Sequence, residues 1–181
     1  MDPIKEALTF DDVTLAPNYS EILPSEVKTG VKLSKHLNIS IPLLTSAMDT
    51  VTESNMAISI GKNGGIGVIH RNLSINDQIK EIRKVKAKKM LVGAAVGASI
   101  NEHIRAQKVL KENIDLIVVD TAHGHTKKVA EIIKKIKKMK PTKTALCAGN
   151  IATAEAAKFL IKQGVDTVSY THLTLPTICS V

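Results

Sequence analysis

The sequence has no tryptophan and only two tyrosines and two phenylalanines among 181 residues. Whatever core it builds must be aliphatic, made of Ile, Val, Leu, Ala and Met, which suits the doubly buried strands of parallel α/β sheets. Only two cysteines are present, Cys147 and Cys179. That rules out a disulfide framework and fits a reducing, cytoplasmic compartment. No apolar run reaches membrane-spanning length, and the opening MDPIKEALTF lacks the apolar stretch of a signal peptide. No G-x-G-x-x-G follows the first strand-like run, as a Rossmann nucleotide site would require. No cysteine or carboxylate cluster accompanies the His123-x-His125 pair, so a metal reading is weak there.

What is abundant is lysine. Lys and Arg number 25 against 17 Asp and Glu, giving a formal net charge of +8. Many of the lysines fall in KKVAEIIKKIKKMK, Lys127 to Lys140, where Val129, Ile132, Ile133, Ile136 and Met139 recur at helical spacing. They form one apolar stripe, and the lysines are the solvated remainder of an amphipathic helix. Nucleic-acid binding would want interleaved aromatics or a known motif, and neither occurs.

From about Ile39 onward short apolar runs alternate with helical stretches. The runs are Ile41–Met48, Gly65–His70, Leu91–Gly97, Leu116–His123, Ala145–Asn150 and Val165–Tyr170. The stretches between them predict helices over Ser54–Lys62, Ser74–Lys86, Lys127–Lys140 and Ala154–Gln163. Ser99-x-x-Glu102 is a capping-box candidate opening another. Ser74 with Asp77 suits a helix start, as does Thr153, and Gly164 stands where a C′ glycine belongs. Uninterrupted alternation implies parallel strands joined by crossovers. The units recur roughly every 20–30 residues, near the ~30 of eight units in a (β/α)8 (TIM) barrel. A doubly wound sheet gives a similar pattern. The barrel is favoured by the missing Gly-rich fingerprint and by polar or small residues after nearly every run: Asp49-Thr50, His70-Arg71, Asp120-Thr121 and Gly149-Asn150. Active sites of barrels lie at that face. The predicted fold class is therefore α/β, an incomplete barrel of about the first six strand–helix units over residues 1–168. Glu6 to Lys32 reads as an extended lead-in with short strands, in which TFDDVTLAP is expected to dock and close the bottom of the barrel.

Several strings together resemble the IMP dehydrogenase and GMP reductase family: ALTFDDVTLAP, SAMDTVTES, GGIGVIHRNLSI, VGAAVG, VDTAHGH and AGNIATAEAA. They occur in the family's order from Ala7 to about Val168, and SAMDTVTE and GGIGVIHRN look like the dehydrogenase branch. The resemblance implies NAD-dependent oxidation of inosine 5′-monophosphate (IMP) to xanthosine 5′-monophosphate in guanine nucleotide synthesis, through a cysteine thioimidate. It implies a monovalent cation (K+) and a homotetramer for the full-length enzyme. GMP reductase, using NADPH, is the nearest alternative, and a noncatalytic nucleotide-binding half-barrel is another.

By the same resemblance, Ser46, Met48 and Asn150 contact the substrate, and Asp120, Thr121 and Ala122 the cofactor. Each has a plainer reading: a strand-end serine, a core methionine, a turn-forming asparagine, an N-cap aspartate. Asp49 and Glu53 are expected to be structural, with Thr50 or Thr52 capping the next helix. His70 is expected to be a hydrogen-bonded structural histidine, and Cys147 an inert buried thiol.

Two departures stand out. Many family members insert paired regulatory CBS modules after the second helix, whereas RKVKAKKMLVGAAVG runs straight through Lys86–Met90. At the end, SYTHLTLPTICSV replaces the Gly-rich loop that carries the family's catalytic cysteine and binds its cation. Thr177-Ile178-Cys179-Ser180 imitates the catalytic string, but Leu173, Thr174, Leu175 and Pro176 stand where glycines belong, so Cys179 is a poor candidate nucleophile. Residues 169–181 are expected to be a non-native tail, resembling read-through into adapter DNA. The chain as written is expected to be inactive and marginally folded, with open sheet edges.

Overall fold

The computed structural model describes residues 12–14 and 16–170. Cys179 and the rest of 171–181 lie outside the described residues, as do Thr9, Phe10, Asp11 and Leu15 of TFDDVTLAP. The aliphatic runs become strands β3 (Leu44–Thr45), β4 (Ile66–Ile69), β5 (Val92–Val96), β6 (Leu116–Asp120), β7 (Ala145–Ile151) and β8 (Thr167–Tyr170). Between them lie α1 (Ser54–Lys62), α2 (Ile75–Ala87), α3 (Glu102–Leu110), α4 (Lys127–Met139) and α5 (Ala154–Gln163). The six strands form one sheet in the order β3-β4-β5-β6-β7-β8, and every pairing is parallel. Sequence neighbours are sheet neighbours throughout. A doubly wound fold would break that order at a switch point, so the sheet is the curled wall of an incomplete (β/α)8 barrel. Six parallel strands and five α-helices build this wall among the described residues.

Strand alternation sorts the side chains into two cores. Outward residues such as Ile69, Val92, Ala94, Val96, Ile117, Val119, Leu146 and Ala148 pack with the buried faces of all five helices. Inward residues Ile66, Val68, Ala95, Leu116, Ala145 and Cys147 form a separate cluster with Leu37 and Ile39. Those last two belong to a small hairpin, β1 (Val31–Lys32) paired antiparallel with β2 (Asn38–Ile39). The hairpin meets the first residues of β4, β6 and β7, so it plugs the N-terminal end of the barrel. The described part of the lead-in before it, up to Gly30, is almost wholly exposed. Among the described residues the closing element is the hairpin; the docking expected of TFDDVTLAP falls in part on Thr9, Phe10, Asp11 and Leu15, outside the described residues.

Local chemistry fixes four of the helix ends. The Ser74 hydroxyl accepts the Asp77 amide at 3.1 Å, Thr126 the Val129 amide at 3.3 Å and Thr153 the Ala156 amide at 3.2 Å. Gly164 ends α5 with φ +83°, a conformation costly for any residue with a Cβ. Helix α4 buries Val129, Ala130, Ile132, Ile133 and Ile136 and leaves its lysines on the outer face, as the stripe predicts.

Two expected caps do not form. Ser99 makes no capping box, because α3 begins after Asn101 and the Glu102 carboxylate turns to the Gly97 amide (2.5 Å) and to Arg105. Neither Thr50 nor Thr52 caps α1. Its N-cap is Glu53, and the Ser54 amide is taken instead by Glu81 of α2 at 2.9 Å. Helix α2 and strand β5 are joined by Lys88–Leu91 alone, with Lys89 at φ +57°. Strand β8 continues through Ser169 and Tyr170, which pair with Gly149 and Ile151.

Candidate functional site

The C-terminal ends of the parallel strands bring the predicted site residues to one rim. Ser46 follows β3 and shares the inward parity of Leu44, which pairs with Ile66. Asp120 is the last residue of β6, on the parity of Leu116 and Val118 that faces the lumen. Asn150 lies one residue before the end of β7. Beneath this rim lies a cavity of about 370 Å³. Its walls include Leu44, Ser46, Val68, Val118, Cys147 and Thr167, so both edge strands, β3 and β8, face it.

Backbone hydrogen bonds hold the β6 and β7 ends together. The Thr121 amide and hydroxyl both donate to the Gly149 carbonyl, at 2.9 and 2.7 Å. The Asn150 amide donates to Thr121 O at 2.6 Å, and the Gly124 amide to Asn150 O at 2.6 Å. The Gly149–Asn150 peptide is cis. A Cβ on Gly149 would run into the backbone carbonyl of Ser169, so only glycine allows β8 this close. The loop after β6 then runs out to solvent: Ala122 and His123 are exposed. His125 leans on Phe159 of α5, with ring centroids 4.7 Å apart, which anchors the far side of the loop. The His123 and His125 rings are 6.5 Å apart. Among the described residues no group of three or more His, Cys, Asp or Glu is placed to hold a metal ion.

On the β3 side, Met48 is 56% exposed, a large apolar side chain left at the mouth of the site rather than in the core. Asp49 accepts from the Asn72 amide at 3.3 Å, and Glu53 lies 3.3 Å from His70 Nε2. Both acids thus tie the β3 loop to the β4 loop, the structural role expected of them. His70 is 2% exposed and hydrogen-bonded through Nε2, also as expected. Cys147 is buried, and its thiol is held above its ordinary pKa first by burial and further by the Asp120 charge. A hydrogen bond with Thr167 opposes both. It is the inert thiol expected, but it also lines the lumen, which the string ALCAGN does not reveal.

A family model for the IMP dehydrogenase / GMP reductase domain matches residues 7–171. The chain belongs to the IMP dehydrogenase/GMP reductase family. It is 42% identical to an inosine-5′-monophosphate dehydrogenase of Borreliella burgdorferi over 90% of this chain and 52% of that protein. A Cryptosporidium parvum protein of the same name is 35% identical over 90% of this chain and 50% of its own length. One from Staphylococcus saprophyticus is 29% identical, over 91% and 59%. The chain spans about half the length of the curated relatives it matches. The Staphylococcus match extends over 291 residues, longer than this whole chain, so that relative carries internal sequence that has no counterpart here. The four-residue link between α2 and β5 is where such sequence is missing if the insert is the one expected after the second helix.

Sequence reasoning missed three contributors to the rim. Thr52 is fully buried and donates its hydroxyl to the Ser46 carbonyl at 2.5 Å. Thr167 lines the cavity from β8, and Glu102 holds the Gly97 amide at the end of β5. Thr167 carries no local signal because sheet pairing sets its place, and the Thr52 and Glu102 bonds, though only six and five residues long, do not have the spacing of a helix cap.

Proposed function

We propose that this barrel, in its complete form, oxidises IMP to xanthosine 5′-monophosphate with NAD, the step that commits IMP to guanine nucleotides. The supporting observation is that Ser46 lines the cavity inside the curled sheet while Asp120 and Asn150 stand at the C-terminal ends of the neighbouring strands β6 and β7, on the same rim. In this reading the Ser46 hydroxyl and the Met48 side chain meet the nucleotide, with Met48 lying flat against the base, and Asn150 helps shape the pocket from the rim. The carboxylate of Asp120 accepts hydrogen bonds from a ribose diol of the cofactor. Thr121, partly exposed, and Ala122, exposed, give the rest of that cofactor a bed free of bulky side chains. Partial exposure of Asp120 and the anchored, open loop beyond it fit such a ligand.

The reaction divides into two easier steps. A cysteine thiolate adds to C2 of the purine and the C2 hydrogen departs as hydride, leaving a thioimidate. Water then adds at C2 and the thiol leaves, giving xanthosine 5′-monophosphate. NAD supplies the two-electron acceptor for that hydride. Cys147 is not the nucleophile, because burial holds its thiol protonated. The nucleophile, the monovalent-cation site (K+) and the homotetramer belong to the complete enzyme. The 181-residue chain taken alone performs no turnover, and the non-native tail expected from about Ser169 begins after Tyr170, since Ser169 and Tyr170 pair in β8. A soluble cytoplasmic location and no role in nucleic-acid binding complete the reading. Among the described residues no helix is long and apolar enough to cross a membrane.

The test pairs two substrate sets on the protein carrying the complete barrel. IMP with NAD should yield NADH, and GMP with NADPH should give no oxidation. The reverse outcome replaces the dehydrogenase reading with a reductase. NADH formed from IMP by the 181-residue chain overturns the claim that it is inactive. Sequencing the gene past the codon for Val168 tests the tail.

A further inference from the structure

The turn between β3 and α1 is closed by a side chain that touches none of the proposed ligands. Ser46 O accepts two hydrogen bonds, from the Met48 amide at 2.9 Å and from the Thr52 hydroxyl at 2.5 Å. Met48 O in turn accepts the amides of Val51 and Thr52, both at 3.0 Å. Residues 46–52 therefore form a small closed ring of hydrogen bonds. Thr52 is its one fully buried member, whereas Ser46 and Met48 are exposed. Its hydroxyl is spent inward on the turn and not on capping α1, whose first free amide is satisfied by Glu81 instead. An exposed turn bearing a large apolar side chain has few contacts of its own to hold it. Here a buried hydroxyl does so from below.

We infer that Thr52 is a positioning residue: its hydroxyl fixes the Ser46–Met48 turn in the geometry that presents both side chains to the purine nucleotide. This rests on the nucleotide reading given above. Valine has the shape of threonine without the hydroxyl, and serine has the hydroxyl without the methyl, so Thr52→Val and Thr52→Ser separate hydrogen bonding from packing. The turn meets the nucleotide alike in the ground state and the transition state. Its loosening should therefore raise KM for the nucleotide by about tenfold and leave kcat within about twofold. Serine should restore KM to within about twofold of the parent. A merely structural role would lower the folded fraction, hence kcat per total protein, with KM unchanged.

The measurement has two arms on the protein carrying the complete barrel. Hydrogen exchange at the Met48 and Val51 amides should quicken about tenfold in Thr52→Val and not in Thr52→Ser, with exchange over Val92–Val96 unaltered in both. Steady-state kinetics then reads KM and kcat. Unchanged exchange at Met48 and Val51 overturns the inference, and so does faster exchange with an unchanged KM. Equal losses in the valine and serine variants overturn it as well. Absence of turnover by the parent with either IMP or GMP sinks the nucleotide reading alone, and the exchange arm still decides whether the hydroxyl holds the turn.

Discussion

Replacing Gln78 by leucine should cost about 3 kcal/mol of stability. Gln78 lies on α2, fully buried between the helices and the sheet. Its side-chain amide donates to the carbonyls of Ile69 (3.3 Å) and Ala95 (2.9 Å), at the ends of β4 and β5. Its oxygen accepts from the Arg105 guanidinium at 3.0 Å, which also reaches Leu73 O at 3.1 Å. Leucine nearly matches the volume, so the cavity term is small. The loss comes from polar groups left without partners, at about 1–3 kcal/mol each. The contact at 3.3 Å is long for a strong hydrogen bond, which leaves two well-made bonds to count and gives about 3 kcal/mol. For a chain of this length that corresponds to a fall in Tm of roughly 6–12 °C. Urea unfolding followed by circular dichroism measures it directly. Arg105→Met breaks the same bond from the other side. The double variant should therefore lose less than the sum of the two single ones, by about 1–2 kcal/mol. A loss below about 1 kcal/mol for Gln78→Leu, or strict additivity in the double variant, refutes the reasoning.

Two further expectations follow from ionisation. The bidentate hydrogen bonds from Arg83, at 2.8 Å each, hold the Glu112 carboxyl below its ordinary value of 4.5. The stability it contributes is present above about pH 4.5 and is lost as pH falls through the depressed folded value. Glu112→Gln should show a shallower acid-side decline in unfolding free energy, and an identical acid limb refutes this. Burial pushes the Cys147 thiol up from 9.0, with the Asp120 charge adding to it against the Thr167 hydrogen bond. Its contribution is full below the unfolded thiol's pKa and is lost as pH rises toward the folded value. Iodoacetamide at pH 8 should label the Cys147 peptide at least tenfold more slowly in the native chain than in urea, read by mass spectrometry. Equal rates would show the thiol to be accessible.

Most of the architecture was legible because parallel strands buried on both faces leave an unmistakable trace. LIVVD and ALCAGNI have no polar alternation to confuse them, and each is followed by a helix with its own stripe. The Ser74, Thr126, Thr153 and Gly164 termini obey local rules, since their partners lie within a few residues. What could not be read are bonds that depart from cap spacing, whether to a distant element or to a nearby loop. Glu81 satisfies an amide 27 residues earlier, and the Thr52 hydroxyl prefers a carbonyl six residues back to the helix it precedes. Ser99 and Glu102 have the spacing of a capping box, yet the carboxylate finds a better donor in Gly97. At the rim, motif resemblance named Ser46, Met48, Asp120 and Asn150. Only the fold could add Thr167, whose place is set by pairing with Cys147.

The separation of the two cores has a consequence for tolerance to change. The outward layer is dry through most of this arc, where strands β4 to β7 pack with the buried faces of the five helices. The inward layer meets water along the cavity between β3 and β8. Adjacent residues of a single strand thus answer to different constraints. Val119 is locked in dry packing, whereas its neighbour Val118 borders a space whose shape depends on how the rest of the wall is supplied. Variation at the second kind of position can reshape the binding chamber while the helical shell keeps its form.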